Sequence, residues 1–497
     1  MLLMRFASPH PCRTTEGADD MGDELEQQGV PERGFRTFLH VLVNTAVANI
    51  TTSFMWFALT FWAYAETRNV IATGTIAAAY MLFVSLFSMF FGTLVDRFPK
   101  KAVMAWATLI ALCVFVLDAG LFFLVGEKRI IDLGGPWFWI FTVVLLAGAV
   151  VEQLRAIALS TTVTLLVPAE RRANANGMVG TVQGVSMLIT SVFSGLSIGF
   201  LGMGWTLIIG TSALALTLIH LLALSIPERG IVAAEHIARW VDVRGGWFAV
   251  TAVPGLLALV LFTTINNIFH GAAMTVMDPY GIEMFGVEGW GIAFAVMSTG
   301  FILGGVVVAA RGLGTNPVRT MLLTAGVLGV VGALSTIREL GWLFIVAIWL
   351  FMALIPVVEA AEQTVIQKVV PYEKQGRVFG FANTFEAAAA PLTALIVAPI
   401  AELWIIPLLR TEEGLRPWKA ILGTGEHRGI ALILLVAGTL CTLFVLAAFA
   451  SPQYRMLSRR YADLEPVELG AEPESVAATE PEILGDSTPQ PPGEKGG

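Results

Sequence analysis

About a dozen apolar runs, each long enough to cross a bilayer, follow one another along this chain with only short polar breaks between them. The hydrocarbon core of a membrane takes about 20 apolar residues of helix, and a helix satisfies its own backbone there. The runs fall near 38–62, 70–91, 102–125, 137–165, 175–200 and 205–225, then near 247–274, 290–310, 318–337, 342–367, 378–403 and 430–450. Only 14% of the 497 residues are charged and 56% are hydrophobic, whereas a soluble chain carries about 25% charge. The expected fold class is an all-α membrane protein with about 12 transmembrane helices.

An even number of spans puts both termini on one side, and charge says which side. Arg33, Arg36, Arg97, Lys100, Lys101, Arg171, Arg172, Arg229, Arg239, Arg244, Arg311, Arg319, Lys368, Lys374, Arg377, Arg455, Arg459 and Arg460 fall with the termini. Arg68, Lys128, Arg129, Arg338, Arg410, Arg416, Lys419 and Arg428 fall opposite. The positive-inside rule makes the termini cytoplasmic in a multi-pass plasma (inner) membrane protein. Because these cations are strung along membrane edges, no nucleic-acid surface is expected. Cys12, Cys113 and Cys441 are isolated, so neither a disulfide framework nor a metal site is expected, and no cofactor either. Residues 1–7 are too short an apolar run for a signal peptide, and Met21 is a second candidate start.

Two loops match across the chain. Val167-Pro168-Ala169-Glu170-Arg171-Arg172 precedes Gly177, and Val370-Pro371-Tyr372-Glu373-Lys374-Gln375 precedes Gly376, Arg377 and Gly380. Each has Val-Pro closing a run, Glu two residues later, basic residues, and Gly inside the next run. Such equivalence implies two pseudo-symmetric six-helix bundles. The expected organisation is a cytoplasmic tail at 1–36, one bundle at 37–226, a cytoplasmic linker at 227–246, a second bundle at 247–450, and a disordered tail at 451–497. Glu, Pro and Gly enrich that last tail.

The sharpest motif lies between the second and third runs, at Gly92-Thr93-Leu94-Val95-Asp96-Arg97-Phe98-Pro99-Lys100-Lys101. It resembles the Gly-x-Leu-x-Asp-Arg-x-x-x-Arg/Lys loop of the major facilitator superfamily. The resemblance implies a secondary transporter working by alternating access. It also implies a conformational-switch loop of Gly92, Leu94, Asp96, Arg97 and Lys101, with Asp96 paired to the positive end of the eleventh helix near Arg377. The two Val-Pro-x-Glu loops are similar to those of the drug- and siderophore-exporting branch that includes macrolide efflux proteins, which implies a bacterial source. Two departures stand out: the second-half counterpart, Arg311 to Arg319, has no acidic residue, and the fifth run lacks the Gly-Pro motif of proton-antiporting drug exporters.

Polar residues inside the runs are unevenly spread, and groups that are costly in lipid tend to face a cavity. The first run holds Asn44, Asn49, Thr51 and Thr52, and the fourth holds Glu152, Gln153 and Arg155. The seventh holds Thr263, Thr264, Asn266, Asn267 and His270, and the tenth holds Glu359, Glu362 and Gln363. The family resemblance implies that helices one, four, seven and ten line the central cavity. Candidate cavity and coupling residues are therefore Asn49, Glu152, Arg155, Asn266, Asn267, Glu359, Glu362 and Glu386. Glu152 and Arg155, three apart, also read as a buried ion bridge. Glu359 is preferred as a proton carrier, with Glu386 next and Asp118 after it. Glu362, about 9 Å along the helix from Lys368, reads alternatively as a cytoplasmic-edge residue. Gly195 with Gly199, and Gly300 with Gly304, are expected to bring the two halves into close contact.

The functional expectation is proton-coupled export of an amphiphilic small molecule by a monomer in the bilayer. A lipid or lysophospholipid flippase on the same fold is the alternative. An intramembrane serine hydrolase using Ser197, within Gly195-Leu196-Ser197-Ile198-Gly199, is the alternative of another class. It lacks an orienting acid and oxyanion donors, so no enzyme activity is expected.

Overall fold

The structure, a computed structural model, describes residues 16–67, 70–228, 243–424 and 428–464. Among these, eleven helical segments are long and apolar enough to cross a membrane. One of them, Ala169–Ala223, has 55 residues. At 1.5 Å per residue that is about 80 Å, far more than a bilayer is thick. Gly202, at φ 77° and ψ 174°, breaks it in two, a conformation that the missing Cβ makes accessible. Twelve spans result. We label them α1 (Glu16–Thr67), α2 (Val70–Arg97), α3 (Lys100–Val125), α4 (Pro136–Leu166), α5 (172–201), α6 (203–223), α7 (Leu256–Gly286), α8 (Gly289–Arg311), α9 (Pro317–Leu334), α10 (Gly341–Val369), α11 (Tyr372–Ile400) and α12 (Arg428–Ala450). A further helix, α13 (Pro452–Asp463), follows the last span.

Three segment expectations are corrected. The seventh span begins at Leu256 rather than 247: Val243–Ala252 is a separate short helix, and Gly255 turns the chain at φ 85°. Helix α1 reaches back to Glu16, into the stretch read as a tail. The stretch after Ala450 is not wholly a tail, because Ser451 caps α13 by accepting from the Tyr454 N–H at 3.2 Å, the usual way of satisfying an open helix end. Leu457 of α13 is buried in the notch left by Gly255. The remaining tail from 465, most of the linker (229–242) and Arg68 lie outside the described residues.

The hydrophobic core has one body at the termini side, two main ones on the far side, and a small fourth of Leu409, Leu422, Ala431 and Leu432 around the start of α12. The first cluster mixes both halves, joining Phe38, Val95 and Val163 to Val308, Val365 and Val378. Toward the far side it divides. Phe115, Phe138 and Phe141 anchor a cluster made of the first half only, and Tyr280, Trp290 and Phe344 anchor one made of the second half only. The two bundles are thus packed together near the termini and separate away from them.

The matched loops are structurally equivalent. Arg172 donates to the carbonyls of Val167 and Thr164, five and eight residues back. Gln375 donates to those of Val370 and Gln367, also five and eight residues back. In both halves one side chain at the same register closes the open carbonyl end of the preceding helix.

Candidate functional site

Two seams hold the halves together on the termini side. Along α2 and α11 the backbones meet at glycine: a Cβ on Gly92 would collide with the Gly376 carbonyl, and one on Gly380 with that of Ser88. Ser85 donates to the Thr384 carbonyl at 2.7 Å and Asn383 to the Ser88 hydroxyl at 2.8 Å. Asp96 accepts from the backbone N–H groups of Gly376 (2.6 Å) and Arg377 (2.9 Å) and pairs with the Arg377 guanidinium at 3.0 Å. Helix α11 begins at Tyr372, so the partner of Asp96 is its second turn rather than its very end. Leu94 packs half-buried against the shared core, and Arg97 lies over the Phe98 ring at 5.9 Å.

Lys101 binds the carbonyls of Leu222 and Leu224. Sequence reasoning missed its neighbour Glu228, which accepts from the N–H groups of Lys100 and Lys101, both at 2.7 Å. An acidic side chain is thereby placed on the positive end of α3, at the point where the linker leaves the first bundle.

The second seam joins α5 to α8 and α10. Its close approaches are at Gly177 against Val308 and Ala309, Gly180 against Pro356, Gly184 against Ile302, and Gly305 against Thr181. Asn174 donates to the Ala309 carbonyl, and Asn176 to both Thr364 and Gln367, each at 2.9 Å. The expected glycine pairs do something else. Gly300 and Gly304 pack on Trp349 and Ala353 within their own half, and Gly195 meets only Phe61 of its own half. Further along the same helices, Gly199 and Gly291 have no atom within 4 Å of an added Cβ. The seam therefore closes over one end of α5 and α8 and lets the other end splay.

Just beyond the α2–α11 seam, two unlike walls begin. On the second half, Thr263 of α7 reaches Glu362 of α10 at 3.1 Å and Glu386 of α11 at 2.8 Å. Glu362 and Glu386 lie within hydrogen-bonding reach of each other, and Glu359 is close enough to Glu386 to repel it. One hydroxyl carries one hydrogen, so both contacts are hydrogen bonds only when one carboxyl carries a proton. Glu359 and Glu386 keep partial exposure, while Glu362 is buried. Glu362 is thus no exposed edge residue. Asn267, one turn from Thr263 on the same face, is half-exposed. Among the described residues no group of three or more His, Cys, Asp or Glu is arranged to hold a metal ion.

On the first half, Asn49 is exposed near the middle of α1, and Trp56, two turns on, packs on Tyr80 of α2 with ring centroids 5.1 Å apart. Gln153 donates to the Tyr80 hydroxyl at 2.9 Å. This wall is aromatic and neutral.

The remaining candidates point into their own bundles. Arg155 is 1% exposed, bound by Asn44, by Thr108 at 2.8 Å and by Thr45 at 3.3 Å, and paired with Glu152 at 3.7 Å. The two are placed inside the first bundle, and their neighbour Gln153 faces the gap. Asn266 is buried against Cys441 of α12, and Asp118 is fully buried within the first bundle. A helix shows different residues every 100°, so adjacent polar residues cannot share one wall. Sequence spacing could have separated Gln153 from Glu152, but not told which of them faces inward.

The Major Facilitator Superfamily profile matches residues 41–394. Macrolide efflux protein A of Streptococcus pyogenes is 23% identical over 380 residues, covering 73% of this chain and 89% of that protein. Among solved structures, the fold resembles that of the human organic anion transporter MFSD10 (TM-score 0.63, 12% identity, 85% of this chain and 99% of that one). It also resembles the proton:xylose symporter XylE (0.61, 11%, 87% and 100%) and a bacterial homologue of the iron transporter ferroportin in an outward-facing state (0.59, 13%, 84% and 100%). Twelve spans in two bundles with matched loops, and a profile match over most of the length, make this chain a member of the major facilitator superfamily.

Proposed function

We propose that this transporter exports an amphiphilic, drug- or siderophore-like compound, neutral or cationic, in exchange for protons. The observation that carries this reading is the Thr263–Glu362–Glu386 cluster with Glu359 beside it: carboxylates grouped near the gap with no basic side chain among the partners described for them. Grouped carboxylates favour a cation in their midst, whether a proton or the positive end of a bound compound. The facing wall of Trp56 and Tyr80 offers π-faces for the apolar or aromatic part of such a compound. Export is favoured by the likeness to macrolide efflux proteins. With the termini cytoplasmic, as the basic residues suggest, the closed seams form a cytoplasmic gate and the molecule is outward-open. The chain acts as a monomer in the plasma membrane.

Uptake of a fluorescent cationic amphiphile into inside-out vesicles under an imposed pH gradient tests this. Glu362→Gln and Glu386→Gln are each expected to lower gradient-driven accumulation by about tenfold, a loss of ~1.4 kcal/mol. Accumulation by the wild type that ignores the gradient, or a Glu362→Gln protein that matches it, overturns the coupling. Movement of lysophospholipids with none of the dye overturns the substrate class in favour of a flippase.

A further inference from the structure

On the side of the second seam, α1, α5 and α8 frame a shallow groove of about 400 Å³. Leu42, Met178 and Val182 of the first half and Val306, Ala309 and Ala310 of the second line it, and its surface is almost wholly apolar. The one hydroxyl in its wall, that of Thr181, is already committed to the Gly177 carbonyl at 2.9 Å. If a methylene takes about the ~30 Å³ of a water in the liquid, the groove holds roughly a dozen carbons of one chain.

Its termini-side end is cationic. Arg311, exposed, follows Ala310 directly at the end of α8. Arg171, also exposed, precedes α5 and lies over the Phe35 ring of α1 at 5.9 Å. Arg36 is exposed on α1 about 9 Å along the helix from Leu42. Glu170, exposed beside Arg171, is one acid among these three arginines, so the cap keeps a positive balance. An apolar slot capped by arginines on long flexible stems matches an acyl chain ending in an anionic phosphate.

We infer that this groove binds one anionic phospholipid of the termini-side leaflet, whose acyl chain bridges the two halves and favours the closed seam. The linkage follows from the walls. Half of the groove comes from each bundle, and the contacts that bring them together are the seam contacts themselves, Gly177 on Ala309 and Asn174 on the Ala309 carbonyl. When the seam opens, the groove is lost, so a lipid that binds it shifts the equilibrium toward closure by its differential affinity. Neither the carboxylate cluster nor the exported compound enters this argument.

Hydrogen exchange of the full chain in nanodiscs tests it, comparing phosphatidylcholine alone with phosphatidylcholine containing phosphatidylglycerol. The probes are peptides covering 174–184 and 301–311. Phosphatidylglycerol is expected to slow their exchange about threefold, and because the two seams close together the α2–α11 peptides, 85–97 and 376–384, slow with them. The paired variant Arg171→Gln/Arg311→Gln is expected to lose this response. Val306→Trp, at a position 45% exposed, fills the groove from outside and is expected to lose it as well, with unaltered exchange in phosphatidylcholine. Equal exchange in the two lipids, or a full response in the arginine variant, overturns the inference.

Discussion

The two halves share a fold and a repeat, yet the charged residues of α4 and those of α10 and α11 are housed in opposite ways. In α4 the charge is answered internally: the guanidinium of Arg155 has Asn44, Thr45, Thr108 and Glu152 around it and almost no exposure. In α10 and α11 like charges gather instead: Glu362 and Glu386 share the hydroxyl of Thr263, with Glu359 beside Glu386. The same contrast recurs at the seams. The α2–α11 seam carries the Asp96–Arg377 ion pair, while the α5–α8 seam closes on glycine contacts and asparagine side chains. The absence of an acid in the loop from Arg311 to Arg319 is therefore no loss of closure. Small residues supply it in another way.

The comparison breaks most visibly at Arg155. Arg155→Met leaves Glu152 buried and uncompensated, and unfolding in detergent is expected to lose about 3–5 kcal/mol. Adding Glu152→Gln is expected to recover most of that. If the single variant is as stable as the wild type, the first half does not depend on its ion pair.

A middle-sized effect is expected at the seam. Asp96→Asn keeps an acceptor for the α11 backbone but loses the charge, so the closed form should be disfavoured by about tenfold, or ~1.4 kcal/mol. Distance measurements between spin labels across the termini side of α2 and α11 would read this as a broader, longer population. Because no ion pair is described across the second seam among the described residues, the same measurement across α5 and α8 should shift less.

The smallest effect sharpens the contrast from the other side. Glu386→Gln removes one of several like charges, so unfolding should change by under about 1 kcal/mol, and in the stabilising direction if it changes at all. A loss as large as that of Arg155→Met would mean that the second-half cluster is a structural network like the first.

Much of this was legible in the chain itself. Twelve spans follow from runs of apolar residues, because lipid leaves the backbone no other solution. The equivalence of the Val167-Pro168 and Val370-Pro371 loops predicted a repeat, and Arg172 and Gln375 then prove to close their helices at the same register. Local backbone chemistry is also visible in sequence, as where Pro254 and Gly255 end a short helix before α7. The pairing of Asp96 with α11 came only through likeness to a family, since nothing local in residues 92–101 names a partner 280 positions away.

Orientation about each helix axis is what the tertiary structure decided. The spacing of Glu152, Gln153 and Arg155 could not say which of them faces the gap, because hydrophobic neighbours surround every face of a span in lipid and the amphipathic signal of a soluble helix is missing. The same holds for Asn266 and Asn267, adjacent in sequence but turned toward Cys441 and the inner wall respectively. Glycine shows the limit most clearly. Gly177, Gly184, Gly195 and Gly199 sit on one helix, yet only the first two meet the other half. Composition and periodicity fix which segments cross the membrane. Which faces meet, and on which side the halves close, depends on packing between segments hundreds of residues apart, and no local pattern encodes that.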